Sequence, residues 1–201
     1  MTPLTHRLRE ATHELHREAE ATGLMQALLK GRLPLAGHRA LLAELLPLCD
    51  ALETALRSQA NASWLSGLDL VALERAPALR ADLHGGPTPA APMPATATYV
   101  ARLQSLGSRG DPALLAHVYT RYLGDLHGGQ ILRRVVERCY PGQGAAFHDF
   151  GSPERVVQLR EQVRQVLAGA PLAPAEHDRV VGEACWSFGQ YRRLFHELAA
   201  A

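Results

Sequence analysis

Arg121, Asp125, His127 and Gln130 fall close together in one segment, Tyr119-Thr120-Arg121-Tyr122-Leu123-Gly124-Asp125-Leu126-His127-Gly128-Gly129-Gln130. A carboxylate there can accept hydrogen bonds from water and help to pass a proton, and a guanidinium one helical turn earlier can hold that carboxylate in place. Leu114, Leu115, Val118, Tyr122 and Leu126, then Ile131, Leu132, Val135 and Val136, recur at helical spacing, so the segment reads as helix. Gly124, Gly128 and Gly129 interrupt it, each at a cost of about 1 kcal/mol relative to alanine. Backbone without Cβ atoms can bend and can lie at van der Waals distance from a flat ligand. Close packing on another helix is the plainer reading of such glycines. The polar side chains gathered with them favour a ligand surface.

A second candidate lies near the start of the chain. Leu4, Leu8, Ala11, Leu15 and Ala19 mark a buried stripe, and His16 lies beside it with Arg9, Thr12 and His13 on its own side. A neutral imidazole aimed inward is a sound ligand for iron. A histidine flanking an apolar stripe is more often a surface or satisfied core residue, and spacing alone leaves both readings open.

The elements that must position these residues are all helical in pattern. Thr2 reads as a cap and Pro3 as the first helical residue, with Gly23 closing that helix. A short piece from Leu24 to Leu29 follows, then a long pattern from His38 to Leu56 that Pro47 interrupts and bends. Leu68 to Leu83 reads as one amphipathic helix, and the proline-dense run from Gly85 to Pro94 as a connecting loop. Tyr99, Val100, Leu103 and Leu106 form a helix closed by Gly107 and Gly110. Asp111-Pro112 caps and opens the glycine-bearing helix, which Pro141-Gly142 stops near Tyr140. Ser152-Pro153-Glu154 opens another helix, and Val180 to Phe195 carry the last. Nothing alternates with period two over a useful length. The expected fold is all-α, a single domain over residues 1–201 with eight or so helices.

A chain of 201 residues suits one domain with a full core. A net charge of +1 argues against a nucleic-acid surface. Cys49, Cys139 and Cys185 form no paired motif, which points to a reducing compartment without a disulfide framework. With no leader pattern and no long apolar run, the expectation is a cytoplasmic protein without a membrane anchor.

Tyr-Thr-Arg-Tyr-Leu-Gly-Asp-Leu-x-Gly-Gly-Gln at Tyr119 to Gln130 resembles the distal-helix signature of the haem oxygenases. Glu10-Ala11-Thr12-His13-Glu14-Leu15-His16-Arg17-Glu18-Ala19-Glu20 resembles the proximal helix of that family, and a weaker likeness runs from Arg179 to Leu198. The resemblance implies a helical bundle with haem sandwiched between a proximal helix and a kinked, Gly-rich distal helix. Haem would be both cofactor and substrate, cleaved by O2 and reducing electrons to biliverdin, carbon monoxide and free ferrous iron. The electrons would come from an external donor, a ferredoxin or an NAD(P)H-dependent reductase. The resemblance makes His16 the iron ligand. Asp125 becomes the acid that orders a proton-delivering water chain, with Arg121 orienting it. Gly124 and Gly128 become the backbone pressed against haem, with Gly129 beside them among the haem-binding residues. Tyr119, Arg9 and His13 fall where relatives hold propionates, and Arg160 and Arg164 could supply the remaining charge. Three positions depart from the family pattern: His127 replaces a serine, Cys49 falls near a tyrosine of the distal water network, and Tyr191 stands where some relatives have asparagine.

Rival readings are weaker. A di-metal carboxylate bundle requires Glu-x-x-His from two helices, and Glu10-Ala11-Thr12-His13 is the only such motif found. A mononuclear metal site at His13 and His16 lacks a clear third ligand. A haem binder that never degrades its ligand would have no need of Asp125.

Overall fold

A computed structural model describes residues 3–86 and 91–201. Among these residues no strand forms, and the elements are α1 (Leu4–Glu20), α2 (Gly23–Leu29), α3 (Leu35–Ser58), α4 (Leu70–Leu73), α5 (Ala76–Leu83), α6 (Pro94–Ser108), α7 (Leu114–His117), α8 (Gly124–Cys139), α9 (Pro153–Gly169) and α10 (Pro174–Ala200). The all-α expectation from the periodicity holds. A π-helical turn, Val118–Leu123, joins α7 to α8.

The long helices bury most of the stripes that their sequences carry, although on α1 Ala11 is exposed and Leu15 half-buried, with Thr12 turned inward in their place. Leu4, Leu8, Thr12 and Ala19 turn inward from α1, which packs along α10. Leu41, Leu45, Leu48, Leu52 and Leu56 do the same from α3, which packs on α6. That second crossing is close because Gly107 has no side chain. A Cβ on Gly107 would lie 2.8 Å from the Cβ of Ala55. Gly107 therefore sits inside α6 instead of ending it, and Gly110, at φ +60°, makes the turn that follows.

Other boundaries move for physical reasons. Thr2 lies outside the described residues. Pro3 is extended and its carbonyl caps the first turn, accepting from the amides of His6 and Arg7, so the helix starts at Leu4. Gly23 opens α2 instead of closing α1. α3 runs through Pro47 unbroken. The helix expected over Leu68 to Leu83 is two short ones, because the Glu53 carboxylate reaches across from α3 and accepts from the amides of Arg75 and Ala76 at 2.6 and 3.0 Å. Of the loop read from Gly85 to Pro94, residues 87–90 lie outside the described residues, and Pro94 is already the first residue of α6. The glycine-bearing helix also differs in detail. Its irregularity is the wide turn upstream of Gly124, where one extra residue per turn shifts every later side chain around the axis.

Candidate active site

α1 and α8 face each other across a cavity of about 360 Å³, with α2 and α10 as its side walls. From α1 comes His16. Its ring stands edge-on to Phe188, centroids 5.6 Å apart, and its Nδ1 lies 3.6 Å from Oε2 of Glu20, one turn along. A carboxylate beside Nδ1 favours the tautomer protonated there and leaves Nε2 with its lone pair free for a metal.

On the opposite wall, Gly124 and Gly128 are exposed, and a Cβ added to either would meet nothing within 4 Å. Their backbone is bare toward the cavity. Gly129 also borders the cavity but is itself buried and turned inward, where a Cβ would sit 3.5 Å from both Asp125 Cβ and His148 Nδ1. The three glycines thus serve two purposes, and only Gly124 and Gly128 leave open space for a ligand face.

Asp125 is 3% exposed and held by two hydrogen bonds from Arg121. Nε donates to Oδ2 at 2.6 Å and Nη2 donates to Oδ1. Arg121 Nη1 also donates to the Tyr191 hydroxyl at 3.4 Å. The guanidinium is sandwiched between rings, 5.3 Å from the Phe147 centroid and 5.5 Å from that of Tyr191. Burial raises the Asp125 carboxyl above its usual range, opposed by Arg121. Burial likewise works against the Arg121 charge, but Asp125 overrides it and holds the guanidinium well above its ordinary value. A fork-to-carboxylate pair of this kind fixes Asp125 in one orientation and leaves lone pairs for water. Cys49 is buried, and burial pushes its thiol up, so it stays protonated beside this pair.

The expected cationic rim divides. Tyr119, whose hydroxyl lies 3.2 Å from Thr12 Oγ1, borders both the main cavity and an adjoining cleft of about 490 Å³ that also holds Arg9 and Arg164. Arg164 donates to His127 Nε2 at 3.0 Å, while His127 Nδ1 bonds back to the Leu123 carbonyl at 2.8 Å. The histidine at the serine position therefore leans toward α9 and serves as a strut for Arg164. His13 pairs with Glu14 at 3.1 Å and is not on the walls of either space, and Arg160 opens into a separate groove with Arg133 and Arg134. The structure brings Arg9, Tyr119 and Arg164 together and leaves His13 and Arg160 apart from them.

Several residues of the site went unread in the sequence. Glu20 was available from its four-residue offset to His16. Phe188 was legible only as part of the apolar stripe of the last helix, and Phe147 and His148 come from a distant turn that no local pattern marks. Burial depresses His148 to about 3, so it is a neutral imidazole, with its Nδ1 unpartnered.

Fold and site define a class: an all-α bundle with a cavity walled by an imidazole on one side and bare helix backbone on the other, beside a buried acid–guanidinium pair. The chain belongs to the haem oxygenase family, for the family model described as "Heme oxygenase" matches residues 2–197. "Heme oxygenase 2" of Synechocystis is 37% identical, covering 98% of this chain and 84% of that one. "Heme oxygenase 1" of Nostoc is 32% identical over 97% of this chain and 85% of its own. The crystal structure of the Synechocystis protein in complex with heme and NO superposes with a TM-score of 0.89 at 36% identity, covering 98% of this chain and 85% of that one. The solved structure of the haem oxygenase from Leptospira interrogans does so at 0.90 and 29% identity, covering 98% and 100%.

Proposed function

We propose that the slot holds haem as cofactor and substrate, with His16 as the iron ligand, and that the chain carries out oxidative cleavage of haem to biliverdin, carbon monoxide and free ferrous iron. One observation carries this: the His16 ring and the side-chain-free backbone at Gly124 and Gly128 border one apolar cavity. Bound there, haem supplies an iron that binds O2 and a porphyrin that is oxidised.

The chain's own residues set the geometry. His16, oriented by Glu20 and Phe188, ties one face. Gly124 and Gly128 would let the helix backbone approach the other. Asp125, fixed by Arg121, accepts hydrogen bonds from water on that distal side and holds the water where a proton is needed. Phe147 and Tyr191 close off the guanidinium and keep bulk solvent from the pair. Arg9, Tyr119 and Arg164 offer hydrogen bonds and charge to the propionates, while Arg160 adds positive charge from its separate groove and His13 stands outside both spaces.

Electrons come from an external donor, a ferredoxin or an NAD(P)H-dependent reductase. Among the described residues no helix is long and apolar enough to cross a membrane. The three cysteines are free, which suits a reducing compartment, the cytoplasm in this reading. We read residues 1–201 as one haem oxygenase domain.

The test is an absorption trace after adding haemin and then a reductant in air. The parent should convert its Soret band to a bilin absorption. The His16→Ala variant should show an altered ferric spectrum and lose at least about tenfold in turnover, on the order of 1.4 kcal/mol or more in the barrier. A parent-like spectrum and full turnover in His16→Ala would remove His16 from the iron.

A further inference from the structure

A second polar assembly starts at the surface and ends on the wall of the haem slot. Arg102 on α6 donates through Nε to both carboxylate oxygens of Glu183 on α10, at 3.0 and 3.1 Å. Glu183 Oε1 lies 3.2 Å from His117 Nε2, and His117 Nδ1 lies 2.8 Å from the Tyr99 hydroxyl. Tyr99 bonds in turn to the Ser187 hydroxyl, which lies 3.0 Å from Thr120 Oγ1. Thr120 borders the haem cavity, in the π-helical turn and next to Arg121. From Glu183 to Thr120 every member is at most 8% exposed. Trp186 and Tyr191 stand edge-on to the Tyr99 ring at 5.2 and 5.3 Å and wall the chain in.

Elementary donor counting fixes its direction. A carboxylate gripped by a guanidinium is ionised and only accepts. Burial alone would raise the Glu183 carboxyl, yet His117 and Arg102 bring it down to about 2. His117 therefore carries its proton on Nε2 and donates it to Glu183. Burial lowers the His117 pKa, so the ring is neutral and Nδ1 is an acceptor. That lone pair takes the single proton of Tyr99. Tyr99, its proton committed, accepts from Ser187, and Ser187 accepts from Thr120. Each hydroxyl has one proton to give, so one anion orders them all.

We propose that Glu183, His117, Tyr99 and Ser187 form a buried positioning chain that points the Thr120 proton away from the haem slot, so that Thr120 can only accept a hydrogen bond from distal water. The consequence for catalysis rests on the haem reading above. A water that donates one proton to Thr120 has a single proton left for Asp125 or for the haem side, which narrows the orientations open to the distal water. None of the four touches the slot's reacting atoms. They act through Thr120.

Two measurements test this, and the first needs no haem. In haem-free protein labelled with 15N, His117 should show a protonated Nε2 and an unprotonated Nδ1, and Glu183→Gln should weaken that preference. A proton on Nδ1 in the parent would overturn the direction whatever the chain does with haem. In loaded enzyme, Ser187→Ala should keep its haemin affinity, slow bilin formation about tenfold and raise its solvent isotope effect, with Ser187→Thr restoring both. Tyr99→Phe, which cuts the chain at the next link, should behave like Ser187→Ala and serves if that variant does not fold. Parent rates and isotope effects in the folded variants would overturn the role in catalysis. A parent that bound haem without degrading it would instead refute the proposed function, leaving the tautomer result to decide the chain's direction.

Discussion

Replacing Gly124 and Gly128 together by alanine separates a glycine kept for a ligand from one kept for packing. Both lie within α8, where alanine is favoured by about 1 kcal/mol per site. A Cβ at either site meets no atom within 4 Å, so nothing in the haem-free protein opposes that gain. The double variant should be stabilised by about 2 kcal/mol, raising the melting temperature by roughly 4–8 °C for a chain of this size. The same two methyls project into the slot. Overpacking costs about 1–3 kcal/mol per site, so haemin should bind at least about tenfold more weakly. Circular dichroism melts of haem-free protein and a haemin titration read the two effects separately. Gly129→Ala is the control, since its methyl would make ordinary contacts with Asp125 and His148 at 3.5 Å and should leave haemin affinity near that of the parent. A double variant that is less stable without haem, or that binds haemin as well as the parent, would refute the reasoning. The glycines would then be there for the backbone and not for the ligand.

Two further predictions follow from the buried groups. Asp125→Asn keeps the shape but removes the charge that Arg121 grips, so haemin should still bind while biliverdin formation falls about 100-fold, measured by product chromatography. His148 has its pKa depressed from 6.5 to about 3, so its contribution to stability is present above pH 6.5 and is lost as the pH falls toward 3. At pH 5 that loss is about 2 kcal/mol. In urea denaturation at pH 7 and pH 5, His148→Phe should lose about 2 kcal/mol less than the parent between the two, and equal losses would place the acid sensitivity elsewhere.

What the sequence made legible follows the reach of its local patterns. Arg121 and Asp125 are four apart on a helix, and helical geometry alone brings their side chains together. Apolar stripes named the buried faces of α1, α3 and α10, because burial and periodicity are the same fact seen twice. Which glycines face the slot was legible too. Gly124 and Gly128 are a helical turn apart and share a face, whereas Gly129, one residue on, points about 100° away. The failures are contacts from elsewhere in the chain. Glu53 breaks the helix expected over Leu68 to Leu83 by capping α5 from α3. No spacing within Leu68 to Leu83 could announce it.

The Glu183–His117–Tyr99–Ser187–Thr120 chain stayed invisible for the same physical reason, while the Asp125 site did not. Its members sit on α6, α7, the wide turn and α10, and every link of the chain crosses from one helix to another. Serine, threonine and tyrosine in apolar helices read individually as tolerated polar residues, and each is cheap to bury only if the next one is present. The information lies in the joint satisfaction of five side chains, which exists only after the helices have packed. A buried relay is therefore the feature that a single sequence is least able to show. Its direction, by contrast, needs no further structure once the ionised end is known, because each hydroxyl has a single proton to give.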